Sequence, residues 1–205
     1  MRRLRAGRTL GVLALVCLLC GCDREDASAG QLQGESGNES ADPAVSGAQS
    51  ALDDGLGWTA SLRIAPALAD TARRTPQAVL IAALAASRWD GWTQVQDLLQ
   101  AKPWLDTLFD ARGRELLARA ALHRRDFTTA VVLARMALEH SATDEDEAVR
   151  TVLLARSHDG SRNPDSARMY YLRAAESIPD AADWLRLRAM VYEPDSAGRE
   201  EYYSE

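Results

Sequence analysis

The sequence predicts an all-α protein built of stacked antiparallel helical hairpins, and three observations carry that expectation. Apolar residues make up 46% of the 205-residue chain but aromatics only 6%, with Ala and Leu dominant and Val and Ile sparse, a balance that favours helix over strand. From Trp58 onward apolar residues recur at intervals of three and four, as in Leu116, Leu117, Ala120 and Ala121 and again in Val131, Ala134 and Leu138, and no stretch alternates as a half-buried strand would. Helix-breaking residues fall at regular places, at Asp90-Gly91, residues 124–126, 141–143 and 159–164, and Ile178-Pro179, which suits paired helices joined by short turns.

Residues 1–21 open with a basic stretch holding Arg2, Arg3, Arg5 and Arg8, followed by an apolar run too short to span a bilayer comfortably as a mature helix. This is an export signal. Its end, Leu19-Cys20-Gly21-Cys22, resembles the lipobox of bacterial lipoproteins, in which the final Cys receives diacylglycerol; Cys20 departs from the usual Ala, Ser or Thr. Cys17 and Cys20 leave with the signal, so Cys22 is the lone thiol of the mature chain, and acylation would cap it in an oxidising compartment. The lipobox implies a bacterial envelope protein held to a membrane through Cys22 and facing the periplasm. Asp23 resembles the inner-membrane retention signal of enterobacterial lipoproteins, and the choice between inner and outer membrane stays open.

Loss of the four signal arginines shifts the net charge from -6 to -10, leaving 20 basic against 30 acidic residues. Nucleic acid is thereby excluded as a partner, because phosphate binding draws on clustered Lys and Arg, and anionic lipid head groups would repel the chain. Residues 22–57 are rich in Gly, Ser, Ala and acid, with almost nothing bulky to bury, and are expected to be a flexible tether behind the lipidated Cys.

Residues 58–205 are expected to form the helical-repeat domain. With Ala167 as the residue where two paired helices cross, Leu154-Ala155, Tyr171, Ala174 and Pro179 fall in one register; with Ala130, Leu117-Ala118 and Ala137 do so, Ala134 and Ala142 replacing the bulky residue and the proline. A third, poorer unit centres on Val95, with Ala82-Ala83 and Leu99. These crossings lie 35 and 37 residues apart, and the pattern resembles the 34-residue tetratricopeptide repeat. Small residues are required there because helix axes about 8 to 9 Å apart leave no room for two large side chains. The closing PDSAGREEYYSE reads as the second helix of a further hairpin with slipped register, and the chain is expected to continue beyond Glu205.

Few residues carry chemistry. His123, His140 and His158 stand at helix ends without a His or Cys at ligand spacing, and no metal or cofactor is expected. Asp144, Glu145, Asp146 and Glu147 follow Thr143 and read as a helix start complementing the dipole. Asp159, Ser161, Asn163 and Asp165 mimic odd calcium-loop positions, but Pro164 stands where Gly must turn and Tyr170 where a bidentate Glu belongs, so a plain turn is expected. Trp58, Trp89, Trp92, Trp104 and Trp184 read as staples between hairpins, with stacking on sugars or a peptide left open.

Two stretches, RGRELLARAALHRRDFTTAVVLARMALEHS and IPDAADWLRLRAMVY, resemble the helical region that precedes the catalytic domain of soluble lytic transglycosylases, the enzymes that cleave peptidoglycan glycan strands. The segment ADWLRLRA at residues 182–189 carries most of that resemblance, which covers residues 58–205. It implies a peptidoglycan-remodelling protein whose chemistry sits in a lysozyme-like domain using one Glu, in a Glu-Ser helix followed by a Gly-Leu-Met-Gln-like segment. Glu176-Ser177 is the one Glu-Ser pair after Trp58, but it ends a repeat helix and no such segment follows, so no catalytic residue is assigned. The alternative is a complete, non-catalytic scaffold lipoprotein whose repeats bind a protein or peptide of the envelope.

Overall fold

The computed structural model describes residues 42–193. The signal at 1–21, the lipidation site Cys22, the start of the tether and the closing segment from Pro194 onward lie outside the described residues. Among the described residues there are nine α-helices and no strand: α1 (Pro43–Asp53), α2 (Gly57–Ala69), α3 (Pro76–Ser87), α4 (Trp92–Leu99), α5 (Arg112–His123), α6 (Phe127–Glu139), α7 (Asp144–Gly160), α8 (Pro164–Ser177) and α9 (Ala182–Met190). Each helix packs on the next, and the main second-neighbour contacts run between odd helices, α1 on α3, α3 on α5 and α5 on α7.

The tether expected over residues 22–57 is corrected at its C-terminal end, because α1 occupies Pro43–Asp53. Asp42 caps it by accepting from the Ala44 N–H at 2.8 Å, and Pro43 supplies a preset φ at the first position. Val45, Ala48, Ala51 and Leu52 form a buried face, and the two alanines are wholly inaccessible. Composition was the wrong guide here: a helix can bury a stripe of alanines against a close neighbour without any bulky residue. Arg73, beyond the end of α2, grips the same cap through Nε to Oδ2 at 2.8 Å and Nη2 to Oδ1 at 2.6 Å, and this hydrogen-bonded guanidinium holds the Asp42 carboxyl at about 2.

The residues expected at the crossings, Val95, Ala130 and Ala167, are all fully buried, as are Ala83, Ala118 and Ala155. Helix starts are capped by side chains in the expected way. Thr75 accepts from the Ala78 N–H, Asp126 from Thr129, Thr143 from Asp146 and Asn163 from Ser166.

The hairpin turns repeat at the level of the backbone. Gly55, Asp90, Arg125 and Arg162 each adopt a left-handed φ, between 58° and 74°. In each turn the following residue donates its N–H to the carbonyl five residues back: Leu56 to Ala51 at 2.7 Å, Gly91 to Ala86 at 2.9 Å, Asp126 to Ala121 at 2.9 Å and Asn163 to His158 at 3.0 Å. These are Schellman caps, which satisfy the carbonyls left over at a helix end. Only the first uses the residue suited to it, since a Cβ in the left-handed region costs about 1–2 kcal/mol.

The connection from α4 to α5 is the longest, and it contains three successive left-handed residues, Phe109, Asp110 and Ala111. The side chain that holds them belongs to a distant helix. Arg150 of α7 is 1% exposed and donates through Nη2 to the Asp110 carbonyl at 2.7 Å. Its Nη1 reaches the carbonyls of Ala137 (3.1 Å) and His140 (3.2 Å) and the Ser141 hydroxyl (3.3 Å), and its Nε reaches Glu115 of α5 at 3.2 Å. Glu115 also pairs with Arg119 at 2.9 Å. Burial pushes the Glu115 carboxyl up, but Arg119, Arg150 and Arg112 outweigh it and leave the group below its ordinary value.

Removing one partner of a buried ion pair strands the other. Arg150→Ala is therefore expected to destabilise the fold by about 3–5 kcal/mol in urea titrations, and the double variant Arg150→Met Glu115→Gln to recover part of that loss. A cost below about 1 kcal/mol for Arg150→Ala would show that the clamp carries little. Conversely, Arg125→Gly at an exposed left-handed turn should raise stability by about 0.5–1 kcal/mol, whereas Gly at the helical neighbour Arg124 should not.

Candidate functional site

A groove of about 600 Å³ opens where the C-terminal ends of α5 and α7 meet α9. Leu122 and His123 contribute from α5, Phe127 from α6, Arg156, Asp159 and Gly160 from α7, Tyr171 from α8, and Trp184 and Arg188 from α9. The sequence of α9 explains its share. Ala182, Leu185 and Ala189 are buried at intervals of three and four, which leaves Trp184 and Arg188, also four apart, together on another face.

Asp159 organises the polar side of the groove. It accepts from the Tyr171 hydroxyl at 3.2 Å and, in shorter contacts, from the Tyr192 hydroxyl and the Arg188 guanidinium. The same guanidinium lies 5.7 Å from the centre of the Tyr171 ring and 6.0 Å from that of Trp184, within cation–π range, and Tyr171 meets Trp184 edge to face at 6.4 Å. Gly160 allows the floor to close, because a Cβ there would stand 2.2 Å from the Phe127 ring. The result is an aromatic wall with a cation held beside it.

Sequence reading had put Asp159 in a plain turn. It lies instead one residue inside the end of α7, and only Ser161 to Asn163 turn, with Asn163 capping α8. The three histidines do not converge. His123 stacks on Trp92 at 4.5 Å, His140 Nδ1 bonds the Met136 carbonyl at 2.8 Å, and His158 lies parallel to Tyr170 at 5.5 Å. His158 is buried with no hydrogen-bond partner for Nδ1, and burial, followed by repulsion from Arg135, holds its pKa below the ordinary value. No three His, Cys, Asp or Glu side chains cluster as metal ligands among the described residues.

Asp144, Glu145, Asp146 and Glu147 occupy the first turn of α7, with Thr143 and Asp146 bonded to each other in a capping arrangement and Glu147 paired with Arg173. Trp58 and Trp89 meet edge to face at 5.5 Å between α2 and the α3–α4 turn, whereas Trp104 meets Phe109 at 5.9 Å within the α4–α5 connection. Glu176 and Ser177 are exposed at the end of α8, away from the groove. Cys22 lies outside the described residues. Sequence reasoning missed Asp159 and Arg150 as organising residues; the available sign was a charged residue falling where α7 should be apolar.

Burial, then the Asp159 charge, pushes the Tyr171 hydroxyl up to about 12, and burial followed by its bond to Asp159 does the same for Tyr192. Both phenols are thus held neutral in the folded state. Their contribution is complete below the unfolded value of 10.0 and is lost as pH rises through about 12. Unfolding free energy should fall between those limits, and the double variant Tyr171→Phe Tyr192→Phe should flatten the fall when urea midpoints are measured at stepped pH.

No family model, no curated protein and no solved structure matches this chain.

Proposed function

We propose that this chain is the membrane-anchored helical-repeat module of a lytic transglycosylase-type protein of the bacterial envelope, non-catalytic in itself, which holds peptidoglycan against its groove. The helices are read as tetratricopeptide-like hairpins in a short solenoid. That reading is supported by left-handed turn residues spaced 35, 35 and 37 apart, at Gly55, Asp90, Arg125 and Arg162, and by the odd helices meeting along one side. The lipid on Cys22 would place the module on the periplasmic face of a membrane.

One observation carries the functional reading. Residues 182–189, which bear the resemblance to lytic transglycosylases, are the ones that supply Trp184 and Arg188 to the groove. An indole face suits the C–H surface of a sugar ring, and a guanidinium suits the carboxylates of lactyl and peptide groups. Among the described residues Asp159 is the one carboxylate lining the groove, and its oxygens already accept from two phenols and an arginine. That engagement supports a groove that holds its ligand rather than one that protonates a glycosidic oxygen through Asp159. The same engagement of Asp159 favours a second reading, a non-catalytic scaffold lipoprotein that grips a peptide or protein.

Mature chain mixed with purified peptidoglycan sacculi should sediment with them, and Trp184→Ala should weaken that retention about tenfold, on the scale of one lost aromatic anchor. No anhydro-muropeptides should be released. Sacculi that fail to retain the wild type, or retain Trp184→Ala equally well, would sink the peptidoglycan reading and leave the scaffold.

A further inference from the structure

Helix α2 reads GWTASLRIAPALA, with Arg63 its single charge. A helix apolar on all sides is ordinarily covered on all sides. Here Gly57, Ala60, Ile64 and Ala67 are buried on the neighbouring helices, while Trp58, Leu62, Ala65, Pro66 and Ala69 form a second apolar stripe open to solvent. Trp58 and Leu62 are each 61% exposed, and Leu56 and Trp89 extend the stripe at its N-terminal end. The Trp89 indole donates to Ser61 at 3.0 Å and meets Trp58 edge to face, which fixes the two rings at the surface.

We infer that this face of α2 lies on the surface of the bilayer to which the chain is tethered. The inference rests on the anchor reading of Cys22. Twenty residue steps separate Cys22 from Asp42, where the first hairpin begins, a span that even fully extended chain covers in no more than about 70 Å. The hairpin that carries the uncovered stripe is thus the first described part of the chain after the anchor. Indoles flanked by aliphatic side chains, without a carboxylate in the stripe, match the preference of Trp for the head-group boundary. At 13 residues α2 is about 20 Å long, and no described helix is long and apolar enough to cross a membrane, so α2 lies on the surface. The acidic chain would dock on zwitterionic lipid and be held off by anionic lipid.

Full-length lipoprotein, purified with its lipid and reconstituted in phosphatidylcholine vesicles brominated on one acyl chain, tests the inference through tryptophan quenching. Wild type should be quenched, Trp58→Phe Trp89→Phe should lose most of that quenching, and Leu62→Glu, at an exposed position, should reduce it at least threefold without changing thermal unfolding. A floated, acylated wild type whose tryptophans are not quenched would overturn the docking face while leaving the anchor intact. A dimer in sedimentation that Leu62→Glu abolishes would overturn it in favour of a second copy of the chain. Mass spectrometry showing unmodified Cys22 would remove the anchor and the docking face together, and is read separately from the quenching.

Discussion

Arg150 is the constraint on which the middle of the structure depends. Its guanidinium has five N–H donors in a fixed plane, and it spends them on α5 through Glu115, on the end of α6 through the carbonyls of Ala137 and His140, and on the left-handed turn through Asp110. The Ala137 carbonyl also accepts from the His140 N–H at 3.2 Å, so Arg150 adds a charged donor to a helix end whose backbone is already partly satisfied. Three left-handed residues in a row are sterically unfavourable and persist only when their surroundings over-determine them. Arg150 of α7 holds the middle one through the Asp110 carbonyl, so the irregular α4–α5 connection and the regular α6–α7 connection share a support.

The consequence passes along α7 to the groove. Asp159 lies nine residues after Arg150 on the same helix, a rise of about 13.5 Å. The helix therefore carries two charged hubs: Arg150 near its middle fixes it to α5 and α6, and Asp159 near its end fixes it to α8 and α9 through Tyr171, Arg188 and Tyr192. Helix α9 is short, and its apolar grip on the rest consists largely of Ala182, Leu185 and Ala189. Its placement, and with it that of Trp184, draws on the polar contacts to Asp159 as well as on burial. Groove shape is in this sense set by electrostatics at two points of one rigid rod.

What could be read from the sequence follows the same division. The burial of Ala118, Ala130, Ala155 and Ala167 was legible because small residues are expected where helices approach closely. Capping by Thr143 was legible because acids followed it. Helix α1 was not, because its buried alanines contribute little hydrophobic weight to a composition dominated by Gly, Ser and acid, and its cap depends on Arg73, 31 residues away. Nor were the hairpin turns visible as a repeat, since Asp90, Arg125 and Arg162 occupy a conformation whose usual marker is glycine. The two hubs escaped for a common reason: a charged residue reads as solvent-facing unless its partners are known, and those of Arg150 are mostly backbone carbonyls, which leave no trace in a sequence.

Non-glycine residues at three of the four hairpin turns raise a further point about how the stack is stabilised. Each turn carries strain of about 1–2 kcal/mol, and at two of them the closing bond and the next helix's N-cap are made by one residue: the N–H of Asp126 and of Asn163 closes one helix while the side chain starts the next. Closing and opening a helix within one residue leaves no slack in the turn. Small buried residues on the paired helices, such as Ala118, Ala130, Ala155 and Ala167, mean that little apolar area is gained per hairpin. A stack built this way has modest hydrophobic support for each unit and relies on its neighbours, on Arg73 holding the first cap, Arg150 the centre and Asp159 the last described helix.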